Sequence, residues 1–274
     1  MAYKRILTVQ DISCIGQCSM TVALPILSAC GHETCILPTA ILSTHTGGFG
    51  KPAVRHLSEA AGEMVEHWRT QHIDFDAIYI GYLGSVEAID LVSEIMDTML
   101  APGGKVIVDP AMADHGKLYS GFDEVYARAM QTLCEKADVM IPNITEAAMM
   151  TGMPYREELD EDYVHALLSK LGGKEVVLTG VGYTPGETGI AVRTNGVISY
   201  YPHPKVGKSY HGTGDMFAAC FTGAWMQEKS MAEAVKIAAD FTLRCIQNTY
   251  EAPAHWYGVK FETALPDLMK MLFE

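Results

Sequence analysis

Residues 76–109 read DAIYIGYLGSVEAIDLVSEIMDTMLAPGGKVIVD. The runs at 76–81 and 105–109 are short, continuous and apolar, as strands covered on both faces are. Residues 85–100 between them carry apolar side chains at helical spacing. Strand, helix and buried strand make a βαβ unit, whose two strands run parallel.

The same alternation continues in both directions. Upstream, a strand at 4–10 precedes an apolar helix at 18–30 that Gly31 ends, a strand at 33–37, a polar Gly-rich loop at 39–50 and an amphipathic helix at 57–70. Downstream come helix 121–134, strand 138–141 broken at Pro142, helices 145–151 and 161–171, and strand 175–179. Asn195-Gly196 turns a hairpin of 188–194 and 197–201, and helices follow at 214–226, 231–248 and 262–272. The pattern predicts an α/β fold with a mostly parallel sheet and helices on both faces, in one domain over 1–274.

Composition narrows the function. Of 274 residues, 49% are hydrophobic and 19% charged, which suits a globular chain with a sizeable core and excludes disorder. The net charge of −13 argues against nucleic acid and against an anionic membrane surface. It leaves room for a small anion held by backbone amides. Residues 12–31 carry no charge, but Pro25 and several hydroxyls make them a buried helix behind a polar loop rather than a membrane span. The N-terminus does not read as a signal peptide. Seven scattered cysteines with no CxxC pair read as reduced thiols in a cytoplasmic protein.

In such sheets ligands bind at the carboxyl ends of the strands. The sharpest motif is His211-Gly212-Thr213-Gly214-Asp215, which opens an apolar helix. Its glycines let backbone N–H groups approach an anion at a helix N-terminus, and Asp215 stands ready to take a proton from a substrate hydroxyl. The plainer alternative is an Asp capping its own helix after a Gly turn. Asn143 and Glu146 share one face at a helix start and could hold Mg²⁺ with Asp109 and Asp114, mostly through water; capping by Asn143 or Thr145 is the alternative. Gly207-Lys208-Ser209 is not a P-loop, because Pro202 stands where the earlier glycine is required. Gly180-Val181-Gly182 does not complete a dinucleotide fingerprint, since Pro185 and a hairpin follow.

Taken together, Gly212-Thr213-Gly214-Asp215, Asn143-x-x-Glu146, Asp109-Pro110-x-Met112-x-Asp114 and Ser43-x-His45-Thr46-Gly47-Gly48 resemble the ribokinase-like superfamily. With Gln10, Gly16 and Gly81-Tyr82-Leu83-Gly84 the chain is most similar to its vitamin B6 kinases, over residues 4–248. The resemblance implies a ribokinase-like three-layer sandwich, often dimeric, and ATP-dependent phosphorylation of the 5′-hydroxymethyl group of pyridoxal, pyridoxine or pyridoxamine. It implies Asp215 as the base and Gly212, Thr213 and Gly214 as the anion hole. Asn143, Asp114, Thr179 and Lys205 would lie on the nucleotide side, and Glu146 and Asp109 would serve Mg²⁺. His45, Thr46, Tyr82 and Asp11 would meet the acceptor. ATP and Mg²⁺ are the implied cofactors, with a monovalent cation as an optional third.

One residue departs from the pattern. Vitamin B6 kinases commonly carry Ser where this chain has Asp11. An anionic acceptor there favours a protonated donor on the substrate, hence pyridoxamine or an aminopyrimidine over pyridoxal. Asp11 as a cap for the helix that follows is the other reading. Two further functions compete with the B6 kinase: a hydroxymethylpyrimidine kinase, and a non-catalytic ligand-binding protein of the same fold. Loss of Asp215 or of the anion-hole glycines would favour the latter, and all are present.

Overall fold

The computed structural model describes residues 1–274 apart from 208, 209 and 253, so the discounted Lys208-Ser209 pair lies outside the described residues. In chain order the elements are β1 (Arg5–Ser13), α1 (Met20–Ala29), β2 (Glu33–Leu42), β3 (Val54–His56), α2 (Ser58–Thr70), β4 (Phe75–Ile80) and α3 (Val86–Thr98). Then follow β5 (Leu100–Val108), β6 (Ala113–Asp114), β7 (Lys117–Leu118), α4 (Glu124–Lys136), β8 (Val139–Met140), α5 (Ile144–Thr151) and α6 (Glu161–Lys170). The chain closes with β9 (Glu175–Val181), β10 (Glu187–Thr194), β11 (Val197–Pro204), α7 (Thr213–Met226), α8 (Met231–Tyr250), a 3-10 turn at Phe261–Ala264, and α9 (Leu265–Phe273).

Nine strands form one sheet in the order β11-β10-β9-β8-β5-β4-β1-β2-β3. The six from β9 to β2 are parallel; β3, β10 and β11 add antiparallel edges. Strand alternation sends side chains to two separate cores. Leu7, Val9, Ile78, Ile80, Val106 and Val108 pack beneath α2 to α6, whereas Ile6, Ala77, Tyr79 and Ile107 pack beneath α1, α7, α8 and α9. The result is a three-layer sandwich, as the continuous apolar strands predict. The hairpin also forms as expected, with Asn195 and Gly196 both at positive φ.

From β1 the chain crosses first to β2 and later, on the other side, to β4. The topological switch therefore lies between β1 and β4, where such sheets bind ligands. Asp11 and Tyr82 end up at that crevice, and the pairing of β1 with β2 slips between Gln10 and Ile12. Such irregularities re-aim a side chain at a rim.

Several boundaries differ from the sequence expectation. β1 runs to Ser13 and β2 to Leu42, so Asp11 and Ser13 are strand residues rather than loop. Their polarity hides a strand end whose partners come from pairing with a distant segment, including Cys14 N–H to the Leu42 carbonyl at 2.9 Å. The helix expected from residue 18 starts at Met20, after Ser19 at φ 51°, so Asp11 is not its cap. β3 and the β6–β7 hairpin are too short to carry a period in sequence. No helix among the described residues is long and apolar enough to cross a membrane.

Candidate active site

α7 begins at Gly212, whose left-handed backbone (φ 76°) only glycine adopts cheaply. A Cβ there would also overlap the carbonyl oxygen of Gln17. The free N–H groups of this first turn face the crevice end of the sheet with the helix dipole behind them. Thr213 Oγ1 donates to the Tyr210 carbonyl at 3.1 Å, which ties the entry to the helix.

Asp215 lies in the same turn and keeps a partly accessible face. Burial pushes its carboxyl up to about 7, against the pull of the Ser19 backbone N–H and with a further push from Asp11. From below, the Tyr79 hydroxyl reaches its main-chain oxygen at 3.4 Å. A carboxylate that titrates near neutrality is matched to general-base work.

Asp11 is only 3% exposed. Burial raises its pKa, while hydrogen bonds from Ser19 and Ser13 oppose the rise; the Ser13 hydroxyl donates to Oδ2 at 2.9 Å. Tyr82 stands close enough that burial, with Asp11 behind it, pushes its phenol up to about 12. Its ring packs 5.2 Å from Phe122. Asp11, Tyr82 and Asp215 therefore line one crevice.

The second acidic group is deeper. Glu146, 1% exposed, accepts N–H bonds from Met112 at 2.9 Å, Ala113 at 3.4 Å and Asn143 at 2.9 Å. Burial still pushes it up to about 7. Asn143 returns the favour as N-cap: Oδ1 accepts from Glu146 N–H at 3.0 Å, and Nδ2 donates to the Ala113 carbonyl at 2.8 Å. Thr145 Oγ1 accepts from Gly116 N–H at 3.0 Å. The capping alternative is thus present in full, and it pins the loop after β5 against α5. Asp109 is raised well above its ordinary range by burial first, then by Glu146 and Asp215.

Asp109 and Glu146 are buried oxygen donors of like charge, and both accept hydrogen bonds from neutral backbone N–H groups. That donor chemistry fits a hard divalent cation. Among the described residues no three His, Cys, Asp or Glu side chains converge on one point, so such an ion would complete its shell with water or phosphate.

The remaining expected residues are more dispersed. Thr179 bridges to Asn143 at the ends of β9 and β8 and donates its N–H to the Pro142 carbonyl at 2.9 Å. Asp114 is exposed on the β6–β7 hairpin, where His115 N–H binds it at 2.8 Å. Lys205 is exposed past β11, its N–H on the Gly186 carbonyl at 2.9 Å, away from the acidic cluster's hydrogen-bond network. Thr46 and Gly214 are exposed. His45 is buried with both ring nitrogens engaged: Nδ1 accepts from Gly47 N–H at 3.0 Å, so Nε2–H donates to the Tyr257 carbonyl at 2.8 Å. Burial lowers its pKa. Any acceptor contact from His45 is therefore through the ring face.

Gln17, Phe49, His255, Trp256 and Tyr257, which no local pattern marks, also border the site. Their partners lie up to 245 positions away.

The family model for phosphomethylpyrimidine kinase matches residues 26–259. The chain belongs to the phosphomethylpyrimidine kinase family. The chain is 25% identical to the pyridoxine/pyridoxal/pyridoxamine kinase of Bordetella pertussis over 264 residues, 90% of each chain. The solved pyridoxal kinase of Lactobacillus plantarum matches at TM-score 0.90 and 32% identity, covering 98% of this chain and 97% of that one. A Bacteroides thetaiotaomicron protein described as a phosphomethylpyrimidine kinase, crystallised with pyridoxal, matches at TM-score 0.91 and 33% identity, covering 97% and 95%. The ribokinase-like α/β architecture is shared along almost the whole chain.

Proposed function

We propose that this chain is an ATP-dependent kinase that phosphorylates the 5′-hydroxymethyl group of a vitamin B6 vitamer. The observation that carries the reading is Asp215, a carboxyl near 7 in the first turn of a glycine-opened helix. Similarity to B6 kinases along nearly the whole chain supports it.

Asp215 accepts the proton of the hydroxymethyl group, whose oxygen then attacks the γ-phosphorus of ATP. The bond from that phosphorus to the ADP oxygen breaks as the new one forms. The N–H groups of Gly212, Thr213 and Gly214 hold the charge on the transferring phosphoryl group. Phosphoryl transfer depends on this positioning and neutralisation more than on covalent chemistry. Tyr82 offers its ring to the heterocycle, Asp11 meets a substituent, and Thr46 and the His45 ring close the far side. Thr179, Asn143, Asp114 and Lys205 form the nucleotide side. Asp109 and Glu146 would hold Mg²⁺, which when bound neutralises phosphate charge.

Hydroxymethylpyrimidine is the alternative acceptor, and the family model favours keeping it in view. A homodimer and a cytoplasmic setting belong to the same proposal; the seven free thiols are consistent with the latter. The test is ATP consumption with Mg²⁺ against pyridoxal, pyridoxine, pyridoxamine, hydroxymethylpyrimidine and several sugars. Turnover of a B6 vitamer is expected. Turnover of the pyrimidine alone would reassign the acceptor, and nucleotide binding without any turnover would replace the kinase by a binding protein. Light scattering reads the oligomer directly.

A further inference from the structure

The segment from His255 to Glu262 touches both halves of the site, although it begins forty residues after Asp215. One arm reaches the acceptor loop. The Tyr257 carbonyl takes the His45 Nε2–H bond at 2.8 Å, and the Trp256 ring packs 4.7 Å from Phe49. The fit is close: a Cβ on Gly48 would come within 2.6 Å of the Trp256 ring. The loop itself abuts the start of the base helix, with the His45 and His211 rings 5.0 Å apart.

The other arm passes through Gln17. His255 Nε2 donates to Gln17 Oε1 at 2.8 Å, and Gln17 Nε2 donates to both oxygens of Glu262 at 2.9 and 3.0 Å. A Cβ on Gly258 would sit 2.7 Å from Gln17 Oε1, so the strap lies flush on that side chain. The main-chain oxygen of the same Gln17 lies against Gly212 in the anion hole. Fixing the side chain of Gln17 from two directions fixes the backbone that Gly212 packs upon.

We infer that residues 255–262 form a strap with two separable positioning arms: Trp256 and Tyr257 set the acceptor loop, and His255 and Glu262, acting through Gln17, set the anion hole. The assignment of the arms to acceptor and phosphoryl group rests on the kinase reading above. Neither arm touches the reacting atoms, so each acts by placement, and small misplacements cost rate steeply.

The two arms predict different kinetic signatures. Trp256→Ala should raise KM for the vitamer about tenfold while KM for ATP stays within about twofold; Trp256→Phe, which keeps a ring on Phe49, should restore most of it. Gln17→Ala should lower kcat about tenfold with vitamer KM little changed. Trp256 is 40% exposed, so the protein tolerates its loss. Hydrogen exchange without ligand supplies a readout independent of activity: the amides of residues 45–50 should exchange faster in Trp256→Ala. If the wild type turns over a vitamer and both variants match it, the strap is wrong. If the wild type turns over no vitamer, the kinase reading fails, and the exchange experiment alone decides the strap: faster exchange at 45–50 upholds it and unchanged exchange removes it.

Discussion

The carbonyl oxygen of Gln17 occupies the space that a side chain on Gly212 would need, and Gly212 holds φ at 76°. Two independent constraints thus demand glycine at the start of this helix. One is steric overlap and the other is backbone strain.

Gly212→Ala is expected to reduce kcat by 100-fold or more and to destabilise the fold by more than ~1 kcal/mol. Steady-state kinetics with a chemical-denaturation curve checks both. Wild-type kcat in this variant would remove the anion hole from Gly212.

Asp215→Asn is expected to lower kcat by about 10²- to 10⁴-fold while nucleotide affinity, read by calorimetry, stays near wild type. The base must be unprotonated to accept a proton. Since its carboxyl is pushed up to about 7, kcat/KM in the wild type should climb with pH and level off above that value. A flat profile from pH 5.5 to 8 would show that Asp215 is not the titrating base.

Asp11→Ser is expected to lower the pyridoxamine-to-pyridoxal ratio of kcat/KM by about tenfold, the worth of one charge-assisted hydrogen bond. The burial of Asp11 near Tyr82 and Asp215 is what would make its charge selective. An unchanged ratio would leave Asp11 as a tie for Ser13 and Ser19 alone.

Buried carboxyls give a stability signature as well. Glu146 rises from 4.5 to about 7, and Asp109 and Asp215 also rise. In the folded protein these groups keep protons that the unfolded chain releases, so their contribution favours the fold at low pH and is lost as pH climbs, for Glu146 between about 4.5 and 7. Thermal melts should therefore show a higher Tm at pH 5.5 than at pH 8, a smaller gap in Glu146→Gln, and a larger Mg²⁺-induced rise at pH 8. A Mg²⁺ response equal at both pH values would argue against a site on these carboxylates.

The strands at 76–81 and 105–109 were legible because their apolar character is local and continuous. Gly212 to Asp215 was legible because a glycine turn, a helix start and an acid follow one another directly. The end of β1 was not. Asp11 and Ser13 look like loop residues until β2 pairs alongside them. His45 shows the same limit: the Gly47 N–H and the Tyr257 carbonyl that occupy both its ring nitrogens are not marked by any local pattern.

By itself the sequence determined the alternating α/β layers, the glycine-opened helix and the acid in its first turn, since each is written in neighbouring residues through periodicity and turn chemistry. Only the tertiary structure decided that Asp11 lies buried beside Tyr82, that Glu146 accepts backbone N–H bonds from Met112, Ala113 and Asn143, and that residues 255–262 brace Gln17 and His45. These relations join segments far apart in the chain. They depend on which surfaces the sheet brings together, and no local pattern encodes that.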